Sequence, residues 1–190
     1  MIRVLVMLAS FVLSLLACHP VQSIAPVGSR PVALDAEDWN GTWCGDDGDP
    51  VLFRVVDSAN GVLRMSGIEI EEGEARWEHS YLYLRTVPGH EDWIFVSAED
   101  DLREDEPPSY SWARVKRKGE LLLVWFPDAA KFEALVEDGR LPGEIDDDRD
   151  VRLWELDDAD LALIVGEESG ALFEWDDPHI LWRTARLDPM

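Results

Sequence analysis

The chain has 190 residues, with 40 Asp plus Glu against 17 Lys plus Arg, a formal net charge of −23 and 46% hydrophobic residues. That hydrophobic share describes a globular chain, not a disordered acidic one. The charge excludes tight non-specific binding to DNA or RNA and disfavours anionic lipid headgroups, because both need clustered Lys and Arg to meet phosphates.

The N-terminus carries Arg3, then an uncharged apolar run over 4–17 that ends in Leu15-Leu16-Ala17-Cys18. One basic residue, an apolar stretch of about 7–15 residues and small residues before a cut form the layout of a secretory signal peptide. The run is too short for a membrane-spanning helix, which needs about 20 residues. Leu15-Leu16-Ala17-Cys18 resembles the lipobox of bacterial lipoproteins. The resemblance implies that Cys18 is lipidated, becomes the first mature residue and tethers the protein to a membrane that it does not span. His19 stands where an Asp would imply inner-membrane retention, so the resemblance implies the outer membrane of a two-membrane bacterium, facing the periplasm. An ordinary signal peptide cut elsewhere, or a disulfide between Cys18 and Cys44, is the alternative reading.

Three prolines, Pro20, Pro26 and Pro31, and no periodicity mark the next segment as a flexible tether. The expected organisation is a signal peptide over 1–17, a lipidated Cys and tether over 18–37, and one β-rich domain over 38–190.

Short, turn-bounded apolar runs predict strands over 51–56, 62–65, 81–87, 93–98, 110–116 and 121–126. Ser58-Ala59-Asn60-Gly61 and Arg117-Lys118-Gly119-Glu120 read as hairpin turns. Trp93-Ile94-Phe95-Val96 is apolar on both alternating sets, so that strand needs cover on two sides. Asp128 is placed to cap a helix bearing Phe132, Leu135 and Val136 and stopped by Gly139. Asp157 or Asp158 is placed to cap another that bears Leu161, Ile164 and Val165. Strands over 151–156 and 180–184 complete the pattern. The fold class expected is mainly β: a small antiparallel barrel or curved sheet of about eight strands with two short helices.

Asn40-Gly41-Thr42-Trp43, after an acidic helix-capable stretch, is similar to the Gly-x-Trp motif that opens the first strand of lipocalins. The resemblance implies that Trp43 closes the barrel floor and that an Arg near the end of the last strand packs across it. Arg183 stands at the matching place. The second helix before the final strand departs from the family pattern.

Signatures of catalysis are missing: there is no Gly-x-Ser-x-Gly, no Gly-x-x-x-x-Gly-Lys, no His-Glu-x-x-His and no Cys-x-x-Cys. His79, His90 and His179 read as surface or hydrogen-bonded residues, and no zinc spacing connects them. Asp146, Asp148 and Asp150 alternate like calcium ligands, but Val151 occupies the glycine position of an EF-hand loop and Asp157 replaces its bidentate Glu. No enzyme, metal or cofactor is expected. Two binding readings remain. In one, a lipocalin-like barrel takes a small apolar or amphiphilic ligand among Trp77, Tyr83, Trp93, Phe95, Trp112 and Trp125. In the other, the acidic body inhibits a cationic protein through Asp46-Asp47-Gly48-Asp49, the acids of 99–106 and those of 146–150.

Overall fold

A computed structural model describes residues 21–45, 48–71, 74–100, 108–166, 172–173, 175–176 and 178–187. Cys18 and the signal-like run before it lie outside the described residues, as do Asp46, Asp47 and the acids of 101–106. Among the described residues the chain forms β1 (Val21–Ser23), β2 (Arg30–Pro31), α1 (Ala36–Trp39), β3 (Gly41–Cys44), β4 (Pro50–Asp57), β5 (Val62–Glu71) and β6 (Glu74–Val87). It continues with β7 (His90–Glu99), β8 (Tyr110–Lys118), β9 (Leu121–Trp125), α2 (Ala129–Glu137), β10 (Gly143–Ile145), β11 (Val151–Leu153), α3 (Asp158–Val165) and β12 (His179–Arg186).

Strands β3 to β9 pair with their sequence neighbours in antiparallel fashion, and β12 pairs with both β9 and β3. The result is a closed eight-stranded antiparallel barrel, as the strand spacing predicted. Two of its turns carry the expected chemistry. Gly61 has φ +69° after Asn60, and Gly119 has φ +63° in the two-residue turn between β8 and β9, where a Cβ would be strained.

Alternation sorts the barrel strands into two cores. Phe53, Leu63, Leu84, Val115 and Val124 point inward and pack with Trp43. On the opposite alternating set of β7, β8 and β9, Trp93, Phe95, Trp112 and Trp125 point outward, where α2, α3 and Phe173 cover them. The interior of an eight-stranded barrel is only wide enough for its own side chains or a small ligand, so the larger rings occupy the outer layer. That layer is an aromatic stack: the Phe95 and Trp112 centroids lie 5.7 Å apart, Trp112 and Phe132 5.4 Å, and Trp93 and Phe173 5.8 Å.

Both predicted helices form where their caps stand. The Asp128 carboxylate accepts from Lys131 N at the start of α2. Asp157 and Asp160 exchange bonds as a capping box at the start of α3. The third, α1, is a four-residue helix capped by Asp35, whose carboxylate accepts from Glu37 N at 2.9 Å. Strand β11 stops at Leu153, short of the expected 156; Trp154 N still donates to Pro142 O at 3.0 Å in the β10 register, and Asp157 then caps α3.

The segment expected as a tether is packed from Val21 onward. Strand β1 pairs in parallel with β11 and antiparallel with the start of β8, and β2 pairs with the end of β6. Val21, Val27 and Leu34 are buried. Prolines and missing periodicity marked this segment as a flexible tether; instead its apolar residues, at wide spacing, find the barrel wall, a contact no local pattern announces.

Candidate functional site

One end of the barrel is sealed by a lock built from three distant stretches. Gly41 has φ +158° and a Cβ there would meet Ala185 O at 2.4 Å, so the chain enters β3 pressed against β12. Two residues on, Trp43 is fully buried and its Nε1 donates to Trp39 O at 3.2 Å. Across the register from Trp43 stands Arg183, whose guanidinium carbon sits 5.3 Å from the Trp43 ring centroid. Its Nη1 donates to Glu37 O at 2.8 Å and Asp38 O at 3.0 Å, taking up carbonyls at the end of α1. Its Nε donates to Glu120, which also receives Arg186, and these two guanidiniums hold the Glu120 carboxyl down to about 2. Arg117 pairs with Asp38 at 2.6 Å from the β8 end. Asn40 Oδ1 accepts from Val55 N at 2.7 Å where β4 is irregular. Helix α1 is thus a plug held by arginines, and Trp39 is its inward face.

Above this floor runs an apolar cavity. It reaches from Trp39 past Phe53, Leu63 and Val115 to Ala98, Ser111 and Phe126 near the far rim. The centre of a water-sized sphere has about 40 Å³ of free space in it. A water needs about 10–15 Å³ by that measure, so the space admits a few waters or one slender hydrocarbon group. Ser111 Oγ, its polar lining group at the rim, donates to Asp100 at 2.8 Å, and Gln22 Nε2 donates to the same carboxylate at 3.1 Å. Burial pushes the Asp100 carboxyl above its ordinary value, against the bonds from Ser111 and Ser109. Strand β1 is stapled to the rim by this carboxylate. Among the described residues that line the cavity, none is an acid or a base.

The six residues singled out from sequence fall in three places. Trp93, Phe95, Trp112 and Trp125 do come together, but on the outer side of the wall under the helical insert, and of the four only Trp112 also lines the cavity. Tyr83 lies on the outer face against Tyr110, with ring centroids 5.9 Å apart, and burial together with Glu99 raises both phenols. Trp77 is 72% exposed near the tip of the β5–β6 hairpin. The cavity residues that sequence reasoning missed, such as Phe53, Leu63, Val96, Ala98, Ala113 and Val115, occupy the opposite alternating set. A signal for them existed on β3 and β4: once Trp43 is placed inward, register carries Val51 and Phe53 inward too.

The outer layer has one further unusual group. Arg114 is buried among three indoles, its guanidinium carbon 4.2 Å from Trp93, 4.8 Å from Trp175 and 5.1 Å from Trp125. Burial pulls its pKa below the ordinary value while Asp92 opposes the shift. Ring faces here serve the cation, which braces the wall between β7, β8 and β9.

Of the acidic stretches, the one at 146–150 folds on itself. Asp146 Oδ1 accepts from Asp148 N and Asp150 N, both at 2.9 Å. Among the described residues no three His, Cys, Asp or Glu side chains converge as a metal site. Cys44 is half-buried with its Sγ 3.8 Å from Thr184 Oγ1, and among the described residues it has no disulfide partner. Comparison with protein-family models, with curated proteins and with solved structures finds no match to this chain.

Proposed function

We propose that the barrel is a lipocalin-like binder, without enzymatic activity, that takes a small apolar molecule or the apolar end of an amphiphile. The observation that carries this reading is the apolar cavity that extends from the plugged floor at Trp39 to the rim at Ser111. Its one rim hydroxyl is committed to Asp100, so recognition rests on shape and hydrocarbon burial. The Trp43 and Arg183 lock supports the resemblance to lipocalins, because it performs at this floor what that family's motif implies. In the same proposal Cys18 is lipidated and holds the protein at the outer membrane, facing the periplasm. Only His19 and Pro20 separate Cys18 from Val21 in β1, a reach of about 10 Å in extended chain, so the anchor would keep the barrel close to the bilayer.

The test is thermal stabilisation of the full chain by straight-chain alcohols from butanol to dodecanol. Each methylene that enters the cavity contributes about 0.8 kcal/mol, so the shift rises with chain length until the space is filled and then levels off. Ala113 faces the cavity and is buried, so Ala113→Leu occupies the space and removes the shift while the protein stays folded. Alcohols that stabilise Ala113→Leu as well as the parent, or that stabilise neither, would refute the reading.

A further inference from the structure

Strands β5 and β6 outgrow the barrel. Strand β4 accompanies β5 only as far as Ser66, and β7 accompanies β6 only from Leu82. The two strands nevertheless stay paired with each other from Val62 opposite Tyr83 to Glu71 opposite Glu74. Residues 67–71 and 74–78 therefore form a two-stranded arm, and residues 79–81 continue its open β6 edge; among the described residues no strand borders the arm or that edge. A lone two-stranded ribbon is marginal in water. This one also leaves apolar surface uncovered: Trp77 is 72% exposed opposite Ile68 at 45%, and Tyr81 at 41% contacts His79 edge-on at 6.1 Å.

The arm is two-faced by register. Ile68, Trp77, His79 and Tyr81 share one alternating set, and positions 69, 71, 74, 76 and 78, four of them acidic in the sequence, make up the other. Charge narrows what covers it. A second copy would set acid against acid, and an anionic bilayer would meet a chain of net charge −23. We infer that the arm docks a cationic segment of another protein, added as an extended strand along the β6 edge over 74–81. Such a strand alternates apolar residues, which cover Trp77 and Tyr81, with Lys or Arg, which meet the acidic set; backbone pairing supplies affinity and the alternation supplies specificity. Trp77 is its anchor, since aromatic side chains at the centre of an interface carry most of its binding energy. This surface is separate from the cavity, and each can fail without the other.

The probe is a labelled synthetic peptide of alternating lysine and valine, with a glutamate–valine peptide as control, titrated into the full chain by fluorescence anisotropy. The expected result is saturable one-to-one binding of the lysine peptide, no binding of the control, and amide protection from exchange concentrated over 74–81. Trp77→Ser, at an exposed position, weakens binding at least tenfold without changing the melting temperature, and added salt weakens it further. Equal binding of the lysine peptide to Trp77→Ser, equal binding of the glutamate peptide, or protection located elsewhere would overturn the inference. Self-association of the chain abolished by Trp77→Ser would overturn it too, in favour of a second copy.

Discussion

Replacing Arg183 with Met keeps most of the stem that packs beside Trp43 and removes every side-chain donor that Arg183 brings to the floor lock. Two bonds to backbone carbonyls vanish, to Glu37 O and Asp38 O, from a side chain only 2% exposed. A hydrogen bond involving a charged group contributes about 1.5–3 kcal/mol and a desolvated cation over an indole about 2 kcal/mol. Burying the guanidinium offsets part of that sum, so the net loss in Arg183→Met is about 3 kcal/mol. For a domain of this size the melting temperature then falls by about 6–12 °C. Equilibrium urea unfolding followed by tryptophan fluorescence, with thermal circular dichroism in parallel, measures both quantities. Arg183→Lys restores less than half of the loss, because one ammonium cannot serve both carbonyls, Glu120 and the ring face at once. A loss below about 0.5 kcal/mol in Arg183→Met, the range of ordinary surface substitutions, would refute the claim that this residue holds α1 as the barrel floor.

Glu120, held down to about 2 by Arg183 and Arg186, makes stability depend on acid. Its contribution is complete above the ordinary carboxyl value of 4.5 and is lost as pH falls from there toward about 2, so Glu120→Gln flattens the pH profile of the melting temperature in that window. Exposure and salt keep the amplitude small, and an unchanged profile in low salt would refute the pairing. Gly61→Ala places a Cβ 2.5 Å from Leu84 O and 2.9 Å from Val32 O at φ +69°, and lowers stability by about 2 kcal/mol or more, read by urea unfolding. Wild-type stability in that variant would mean that the N-terminal segment does not lie against this turn.

The barrel was legible in the sequence because its turns and periods are local. Asn60-Gly61 and Gly119 announce hairpins, and the Asp128 and Asp157 caps announce helices, from a few adjacent residues. The floor lock was legible for a different reason: the Gly41-x-Trp43 spacing and the place of Arg183 in the last strand singled these residues out before their contacts were visible. What could not be read was the phase of β7 and β8. When Trp93 and Phe95 alternate with Ile94 and Val96, hydropathy alone does not say which pair faces the cavity, and only the covering insert decides it. The packing of Val21 and Val27 was hidden for the same reason, since their partners Val151 and Ser97 lie far along the chain.

The division of aromatic mass bears on what the barrel can hold. Were Trp93, Phe95, Trp112 and Trp125 inside, their rings would fill the interior and no ligand space would remain. Placing them outside, with Arg114 wedged among the indoles, leaves the interior to Ala98, Ala113, Val96 and Val115, and the cavity lies along those smaller residues. The part of the cavity wall made by β7, β8 and β9 is braced from behind by α2, α3 and the aromatic stack. A braced wall resists swelling, since close-packed interiors transmit strain instead of absorbing it. In the proposed binder, selectivity for slender over bulky hydrocarbons would follow from the outer layer as much as from the lining. Thinning that layer, for example with Phe132→Leu under the Trp112 ring, would relax the size limit before it opens the barrel.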